Sequence, residues 1–485
     1  MDKPATLFDR DWEWQELSRF ATDPNPGITL GIVSGRRRQG KSMLLQALAQ
    51  AAGGFYYEII DSNETEILRD LGTKLAVHLG APAPLSLGSI DGALGALAKI
   101  GERSQPTTVV LDEFPALASA NASTPSLVRN LLGPGSQVKS QARTRLLLCG
   151  SALGFMGALL GGQSPLRGRA GLELVVSAFD YRLARKFWAI EDVELALLVF
   201  AIVGGTPAYR REFVADDAPR NRRDFDAWVA RAVLNPARPL FREARYLLAE
   251  DPAIGDLGLY QSVLSAIAAG ETTSARIAGR LGRAATALAH PLNVLADAGF
   301  IVRDQDAFHE KRVHYAIAEP LITFHHAVVR SAWSELERPG RALEVWKRLR
   351  PQFQAQVVGP AFESLCRSWT RQYASPQIFV GQVQSVRRGL VSDAEQKKTH
   401  EVDVVVLGEG DKVLALGEAK WGSKLGEDDV ARLQRILGLL ASRGYDTRDA
   451  RILCFSSAGF NAALSQRSKK EPIILVDLAR LYGDE

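Results

Sequence analysis

Two stretches of the chain carry residues whose types and spacing suit phosphate chemistry. In "GRRRQGKS", Gly35, Gly40, Lys41 and Ser42 stand in the spacing G-x-x-x-x-G-K-S. Glycines let backbone amides wrap phosphate oxygens, a lysine reaches the β and γ phosphates, and a serine hydroxyl ligates magnesium. Gln39 completes the turn, and Arg36, Arg37 and Arg38 add positive potential. In "KTHEVDVVVLGEGDKVLALGEAKWG", residues 398–422, acids and a lysine sit at the tips of apolar runs. Alternation places Glu401 and Asp403 on one strand face, and Glu418 and Lys420 on one face of the next strand. If the two strands are neighbours, Asp403 and Glu418 converge on a divalent ion and Lys420 positions or activates water. Glu363 adds a ligand from the preceding helix, and Gln434, from the following helix, orients water or a backbone phosphate. Metal-activated water attacking a phosphodiester is the chemistry of such a set. A half-exposed sheet with solvated acids is the alternative.

Elements must bring these residues together. "GITLGIVS" reads as a strand and "KSMLLQALAQ" as a helix, the setting a phosphate loop needs. "PTTVVLDEFPAL" supplies a buried parallel strand with Asp112 and Glu113 at its C-terminal tip, where α/β ligands bind. Asp112 would hold magnesium through its water shell and Glu113 would orient and deprotonate the attacking water. A third strand, "RTRLLLCG", leads to Ser151, which reads equally as a γ-phosphate sensor or as a helix cap. The glycine-rich "GGQSPLRGRAG" carries Arg167 and Arg169, which would reach a neighbour's nucleotide in a multimer and otherwise form a solvated basic loop. Beyond residue 185 the pattern is helical, as a lid would be, with Arg210 and Arg211 as candidate phosphate contacts.

From about residue 258 three helices and two short strands form a winged helix-turn-helix. Its third helix turns Leu288, Leu292 and Leu295 inward and leaves Thr286, His290 and Asn293 on the other face. Between Glu271 and Asp297 the only charged side chains are Arg276, Arg280 and Arg283, suited to DNA phosphates but not to reading guanine. His325 and His326 read as packing or surface residues. After Pro351 the chain changes character: a helix with Phe362, Leu365 and Cys366 inward, antiparallel strands, a helix with Val430, Leu433, Leu437 and Leu440 inward, then further strands.

The bulk properties exclude little. With 485 residues, 46% of them hydrophobic and 24% charged, the chain is globular and multidomain. A net charge of +4 permits nucleic-acid contact without establishing it. Cys149, Cys366 and Cys454 are widely separated, so a reduced, cytoplasmic setting is the simplest expectation. No apolar run is long enough to span a membrane, and the N-terminus has no signal-peptide core.

The ordered set "LFDRDWEWQEL", "GRRRQGKSMLL", "VVLDEFP", "LLLCGSALGFM", "SPLRGRAG" and "VGGTPAYR" resembles the prokaryotic, archaeal-type DEXX-box ATPases of the AAA+/STAND-related group. Residues 355–475 resemble their DUF234-type C-terminal domain, similar in fold to PD-(D/E)xK nucleases, with "VD" standing for "PD". The resemblance implies an α/β fold: a P-loop NTPase (AAA+-like) parallel sheet with a helical lid, a winged helix and a restriction-endonuclease-like domain. Domains are expected at 1–184 (ATPase core), 185–257 (lid), 258–345 (winged helix and linker) and 346–485 (nuclease-like). It implies ATP and magnesium at Lys41, Ser42, Asp112 and Glu113, with Ser151 as sensor. At the nuclease site it implies magnesium or manganese on Glu363, Asp403 and Glu418, with Lys420 catalytic and Gln434 accessory. The expected function is an ATPase coupled to a metal-dependent DNA endonuclease in DNA metabolism or defence. Two alternatives stand beside it: an ATP-dependent switch that binds DNA or a protein without cutting, and a winged-helix transcriptional regulator. DNA is the expected partner; a homo-oligomer and a protein partner remain open, and a membrane is not expected.

Overall fold

A computed structural model describes residues 1–101, 105–133, 142–162, 164–251 and 253–484; Gln163 of the glycine-rich stretch and Glu485 lie outside the described residues. The chain divides into two compact units, Met1–Ala178 with Asp251–Ala253 and Asp297–Gly299, and the remainder from Phe179 to Glu485.

The first unit is built on β1 (Thr29–Ser34), β2 (Phe55–Glu58), β3 (Thr107–Asp112), β4 (Thr144–Gly150) and β5 (Ala170–Val175), all parallel, in the order β2-β3-β4-β1-β5. β3 and β4 are buried along their whole length, because helices cover both faces of a parallel sheet. One face packs Ile32, Leu111 and Leu148 against the helices Glu64–Leu79 and Ile90–Lys99, and the other packs Val33, Val110 and Leu147 against Leu44 and Leu48. This order brings the C-terminal ends of β1, β3 and β4 side by side. Fully buried Arg145 closes the opposite end by donating to the carbonyls of Asp23 (2.7 Å) and Gly27 (3.0 Å).

The second unit opens with helices Tyr181–Trp188 and Val193–Val203. A winged helix follows: helices Leu257–Ala268, Ser274–Leu281 and Ala289–Asp297, then the antiparallel pair β6 (Ile301–Gln305) and β7 (Val313–Ile317). Leu288, Leu292 and Leu295 are buried while Thr286, His290 and Asn293 are exposed. Pro351 lies inside helix Ala342–Phe353, which runs through a π turn at Gln354–Val358 into helix Gly359–Gln372. The wider turn lets the helical path continue past a residue that ordinarily breaks it.

The last sheet has the order β12-β11-β10-β9-β8. β8 (Ser385–Asp393), β9 (Lys398–Leu407) and β10 (Val413–Lys420) are antiparallel, whereas β11 (Arg451–Ser456) and β12 (Ile473–Val476) join parallel. Helix Glu427–Ala441 covers one face through Val430, Leu433, Ile436 and Leu440, with Cys454 in the same core. Leu437, expected inward, is half-buried at the rim, and Ile436 takes its place. The neighbouring Phe455 faces the other way and meets Trp369 of helix Gly359–Gln372. This helix, sheet, helix sandwich is a mixed α/β domain of restriction-endonuclease-like form. All three cysteines are buried and free. Among the described residues, no helix is long and apolar enough to cross a membrane.

Candidate nucleotide site and nuclease-like site

The phosphate loop links β1 to helix Lys41–Ala51. A Cβ on Gly35 would lie 2.3 Å from the Val176 carbonyl oxygen, and Gly40 has φ +85°, so both positions need glycine. Lys41 is buried and donates to the Arg36 carbonyl at 2.9 Å, holding the loop closed on its own backbone. Burial lowers its pKa, against the pull of Cys149, Glu113 and Asp112. Gln39 is buried, and its carbonyl accepts from Arg10 at 3.2 Å. The same Arg10 nitrogen donates to the Ser177 carbonyl at 2.7 Å, and the other pairs with Glu13 at 2.8 Å.

Asp112 ends β3 almost wholly buried. Its Oδ1 accepts from the Glu113 amide (3.0 Å) and its Oδ2 from the Tyr56 hydroxyl (2.8 Å). Burial, then Asp112, pushes the Tyr56 phenol far above its ordinary range. Glu113 has φ +53°, and Ser151 donates to its Oε2 at 3.2 Å. Helix Leu153–Ala158 is capped by Ala152 without a side-chain bond, so Ser151 serves Glu113 rather than a helix end. Ser42, in the first turn of the helix after the phosphate loop, and Asp112, at the tip of β3, are the hydroxyl and carboxylate donors that suit magnesium: Ser42 would ligate it directly and Asp112 through water. Arg167 and Arg169 are exposed on their loop, where Arg167 donates to the Gly162 carbonyl at 2.9 Å.

Arg210 and Arg211, the candidate phosphate contacts, share one acidic partner. They pair with Asp216 at 2.9 and 3.1 Å, and both guanidinium groups lie over Phe187. In the winged helix, Arg276 and Arg280 pair with Glu271 at 2.8 and 3.8 Å, and Asn293 accepts from Arg303 at 2.7 Å. The single Glu271 thereby offsets one of the three positive charges of the basic stretch. His325 and His326 are packed residues whose pKa values burial lowers to about 4 and about 3.

At the nuclease-like site β9 and β10 are neighbours with Val404 opposite Gly417, so Asp403 and Glu418 occupy the next rung. Asp403 Oδ2 accepts from the Ala419 amide at 2.8 Å, and its carbonyl accepts from Arg367 at 2.9 Å. Glu418 is ion-paired with Arg432, and Lys420 with Asp429. Burial, then Asp403, raises Glu363 and Glu418 to about 7, and burial raises Asp403 as well. Gln434 is exposed and accepts from Arg467 at 3.1 Å. Asp403 is thus close enough to raise both glutamates, but Glu418 and Lys420 are already ion-paired and one Asp403 oxygen is held by the backbone. Among the described residues no three His, Cys, Asp or Glu side chains are placed to hold a metal ion. This side-chain arrangement does not fit the expected metal, and no step is derived through one.

Sequence reasoning missed Arg10 and Tyr56. Arg10 lies inside the quoted "LFDRDWEWQEL", but nothing local announces its loop contacts. For Tyr56 the signal was present in "FYYE": it shares a strand face with Glu58, whose register partner is Asp112.

Residues 326–433 match the DUF234 family model, described as archaea bacterial proteins of unknown function. The match begins well before residue 355, within the π turn His325–Val329. A search of curated proteins finds no match. Among solved structures, the chain is similar to the Walker-type ATPase of Pyrococcus abyssi, with 20% identity, 66% of this chain and 96% of that one covered, and TM-score 0.48. It is also similar to the ORC2 protein of Aeropyrum pernix in its ADPNP–ADP complexes (14%, 69% and 97%, 0.42) and to Cdc6p of Pyrobaculum aerophilum (18%, 69% and 96%, 0.32). By strand order and phosphate loop, the chain joins an AAA+-type P-loop fold to a distinct C-terminal region that matches DUF234.

Proposed function

We propose that this protein is a nucleotide-driven switch: ATP binds and is hydrolysed at the phosphate loop, and the bound nucleotide sets the affinity of the second unit for DNA or a protein partner. The nuclease-like domain serves as a binding surface and does not cut. The observation that carries this reading is the engagement of Glu418 by Arg432 and of Lys420 by Asp429.

In the hydrolytic step Glu113, held by Ser151, takes a proton from the attacking water. Lys41 exchanges the Arg36 carbonyl for phosphate oxygens. Magnesium, when bound at Ser42 and Asp112, supplies charge neutralisation between the phosphates. A relay to the second unit is supported by contacts at each end of one short segment. At its start, Gly35 abuts the Val176 carbonyl and Arg10 grips that of Ser177. A few residues on, Tyr181 and Arg182 donate to the Leu481 carbonyl (both 2.8 Å), Arg185 pairs with Asp484 (2.6 Å), and Tyr373 donates to Asp180. The proposed relay runs along the chain itself through residues 176–185, which are held at their start within the first unit and at their end within the second.

The second reading, a metal-dependent DNA endonuclease, is favoured by one observation: three buried carboxylates raise one another, a cost that a divalent ion would relieve. One experiment separates the two. Wild type, Lys41→Ala and Asp403→Ala are incubated with labelled linear, branched and single-stranded DNA and with cell extract, with magnesium or manganese, and with ATP, ADP or neither. The switch predicts ATP hydrolysis and nucleotide-dependent complexes, both lost in Lys41→Ala, without new DNA ends. New ends that disappear in Asp403→Ala would replace it with the endonuclease.

A further inference from the structure

Asp306, in the turn between β6 and β7, is almost wholly buried, and both of its oxygens are engaged. Oδ1 accepts from the Phe308 amide and from His309 Nδ1, each at 3.0 Å, and Oδ2 accepts from His314 Nε2 at 3.1 Å. An ionised carboxylate only accepts, so both rings donate, which leaves His314 Nδ1 to accept from the Thr272 hydroxyl at 3.2 Å. The Asp306 amide donates to the Arg312 carbonyl, and the Arg312 amide to that of His309. All of these bonds lie within the winged helix, so the turn keeps its shape without help from the C-terminal sheet.

That turn presents Ala307 and Phe308 to β8. The Ala307 amide donates to the Arg388 carbonyl at 3.0 Å, and the Phe308 ring stands edge-on to Tyr445 with centroids 5.4 Å apart. A Cβ on Gly389 would lie 2.8 Å from two Phe308 ring carbons, and the β8 register breaks between Arg387 and Gly389. A bulge with a glycine beside it makes a seat for an approaching side chain. Arg387 adds a bond to Gln305 at 3.1 Å. A turn shaped by its own bonds and seated through a ring, an amide and an arginine can leave its seat as a unit. The surface of the hairpin is mainly positive: Arg303, Lys311 and Arg312 are exposed beside Glu310. The major groove of DNA admits a two-stranded ribbon. Seated on β8, the hairpin is the edge of a wider body that the groove does not admit.

We propose that the hairpin of β6 and β7 is the DNA-contacting ribbon of the second unit and that Phe308 latches it shut on β8. Release from Gly389 frees the ribbon and its basic side chains for a duplex groove. This rests on the switch reading above and names its partner, duplex DNA, and the surface that takes it.

The test uses the full chain with Phe308→Ser, which removes the latch, and Gly389→Val, which fills the seat and leaves the hairpin's own sequence intact. Binding of a fluorescent duplex is followed by anisotropy in ATP and in ADP, and hydrogen exchange reads the Ala307 amide and the β9 and β10 amides. Both variants should bind duplex about tenfold tighter than wild type, with protection lost at Ala307 and kept in β9 and β10, which certifies the fold. Adding Lys311→Gln and Arg312→Gln to Gly389→Val should remove that gain. Unchanged or weaker binding once Ala307 has lost protection overturns the proposal, as does protection retained at Ala307 in both variants or a gain that survives loss of Lys311 and Arg312. If no protein binds duplex in either nucleotide while ATP is still hydrolysed, DNA is not the partner of the switch and the proposal falls, whereas absence of hydrolysis as well sinks the switch reading itself.

Discussion

Glu363 should destabilise its own domain when ionised, and the sign can be worked through. It lies on helix Gly359–Gln372 beside the buried Phe362 and Cys366, and burial followed by the Asp403 charge raises its pKa from 4.5 to about 7. Arg367 and Arg388 offset this only in part. A folded-state pKa above the unfolded one means that the acid's contribution is fully present below pH 4.5 and is lost as pH rises through about 7. At about 1.4 kcal/mol per pH unit, and with the charge shared with Asp403, the loss is on the order of 2–3 kcal/mol. Glu363→Gln keeps the shape and removes the charge. The variant should therefore match wild type near pH 4.5 and exceed it at pH 8 by that amount. Hydrogen exchange of the β9 and β10 amides in the full chain reads this locally, comparing the two proteins at each pH so that intrinsic exchange rates cancel. Protection at pH 8 should rise roughly 30-fold in the variant. Equal protection at pH 8, or loss at both pH values, would refute the argument, the second by showing that the carboxylate is needed as an acceptor.

Arg432→Gln frees Glu418, so manganese binding measured by paramagnetic resonance should strengthen roughly tenfold over wild type; no change would mean that the ion pair does not hold the carboxylates apart from a metal. Arg10→Met removes the bonds to the Gln39 and Ser177 carbonyls, and should weaken ADP binding about tenfold in a calorimetric titration. Arg182→Met should leave ADP affinity unchanged while abolishing the nucleotide dependence of partner binding, read by sedimentation with and without ATP. Arg145→Met leaves the Asp23 and Gly27 carbonyls without their buried donor and should cost about 2–4 kcal/mol, seen as a lower thermal midpoint at unchanged nucleotide stoichiometry.

The parts legible in the sequence are those set by local spacing. The glycines and Lys41 announce a strand, loop and helix because only glycine tolerates the backbone of Gly40 and the approach of Val176 to Gly35. Asp112 and Glu113 are legible as the polar end of a fully buried strand. What escaped is what distant segments bring. Tyr56 reaches Asp112 only because β2 pairs with β3 across a long connection, and Arg10 reaches the loop from ahead of β1. Pro351 stands inside a helical path that continues through a π turn, with Trp346 and Phe353 buried before the turn and Val357 and Val358 buried within it.

The nuclease-like site shows how a correct strand reading can still leave the chemistry open. Alternation put Asp403 and Glu418 on facing strands if the strands are neighbours, and the register sets them opposite each other. The cations that decide what those acids do belong to the helix, and helical spacing was available too. Asp429 and Arg432 are three residues apart and share a face, turned to Lys420 and Glu418. Gln434, two residues beyond Arg432, is rotated from it by about 200°. A helix that presents Arg432 and Asp429 to the sheet therefore sends Gln434 away from it, toward Arg467. The acid pattern and the helix pattern cannot both serve a water-activating site in this arrangement: the face that would bring Gln434 to the carboxylates would withdraw the arginine that now neutralises Glu418. That exclusion, rather than any missing carboxylate, is what favours the proposed binding role of the second unit over cleavage.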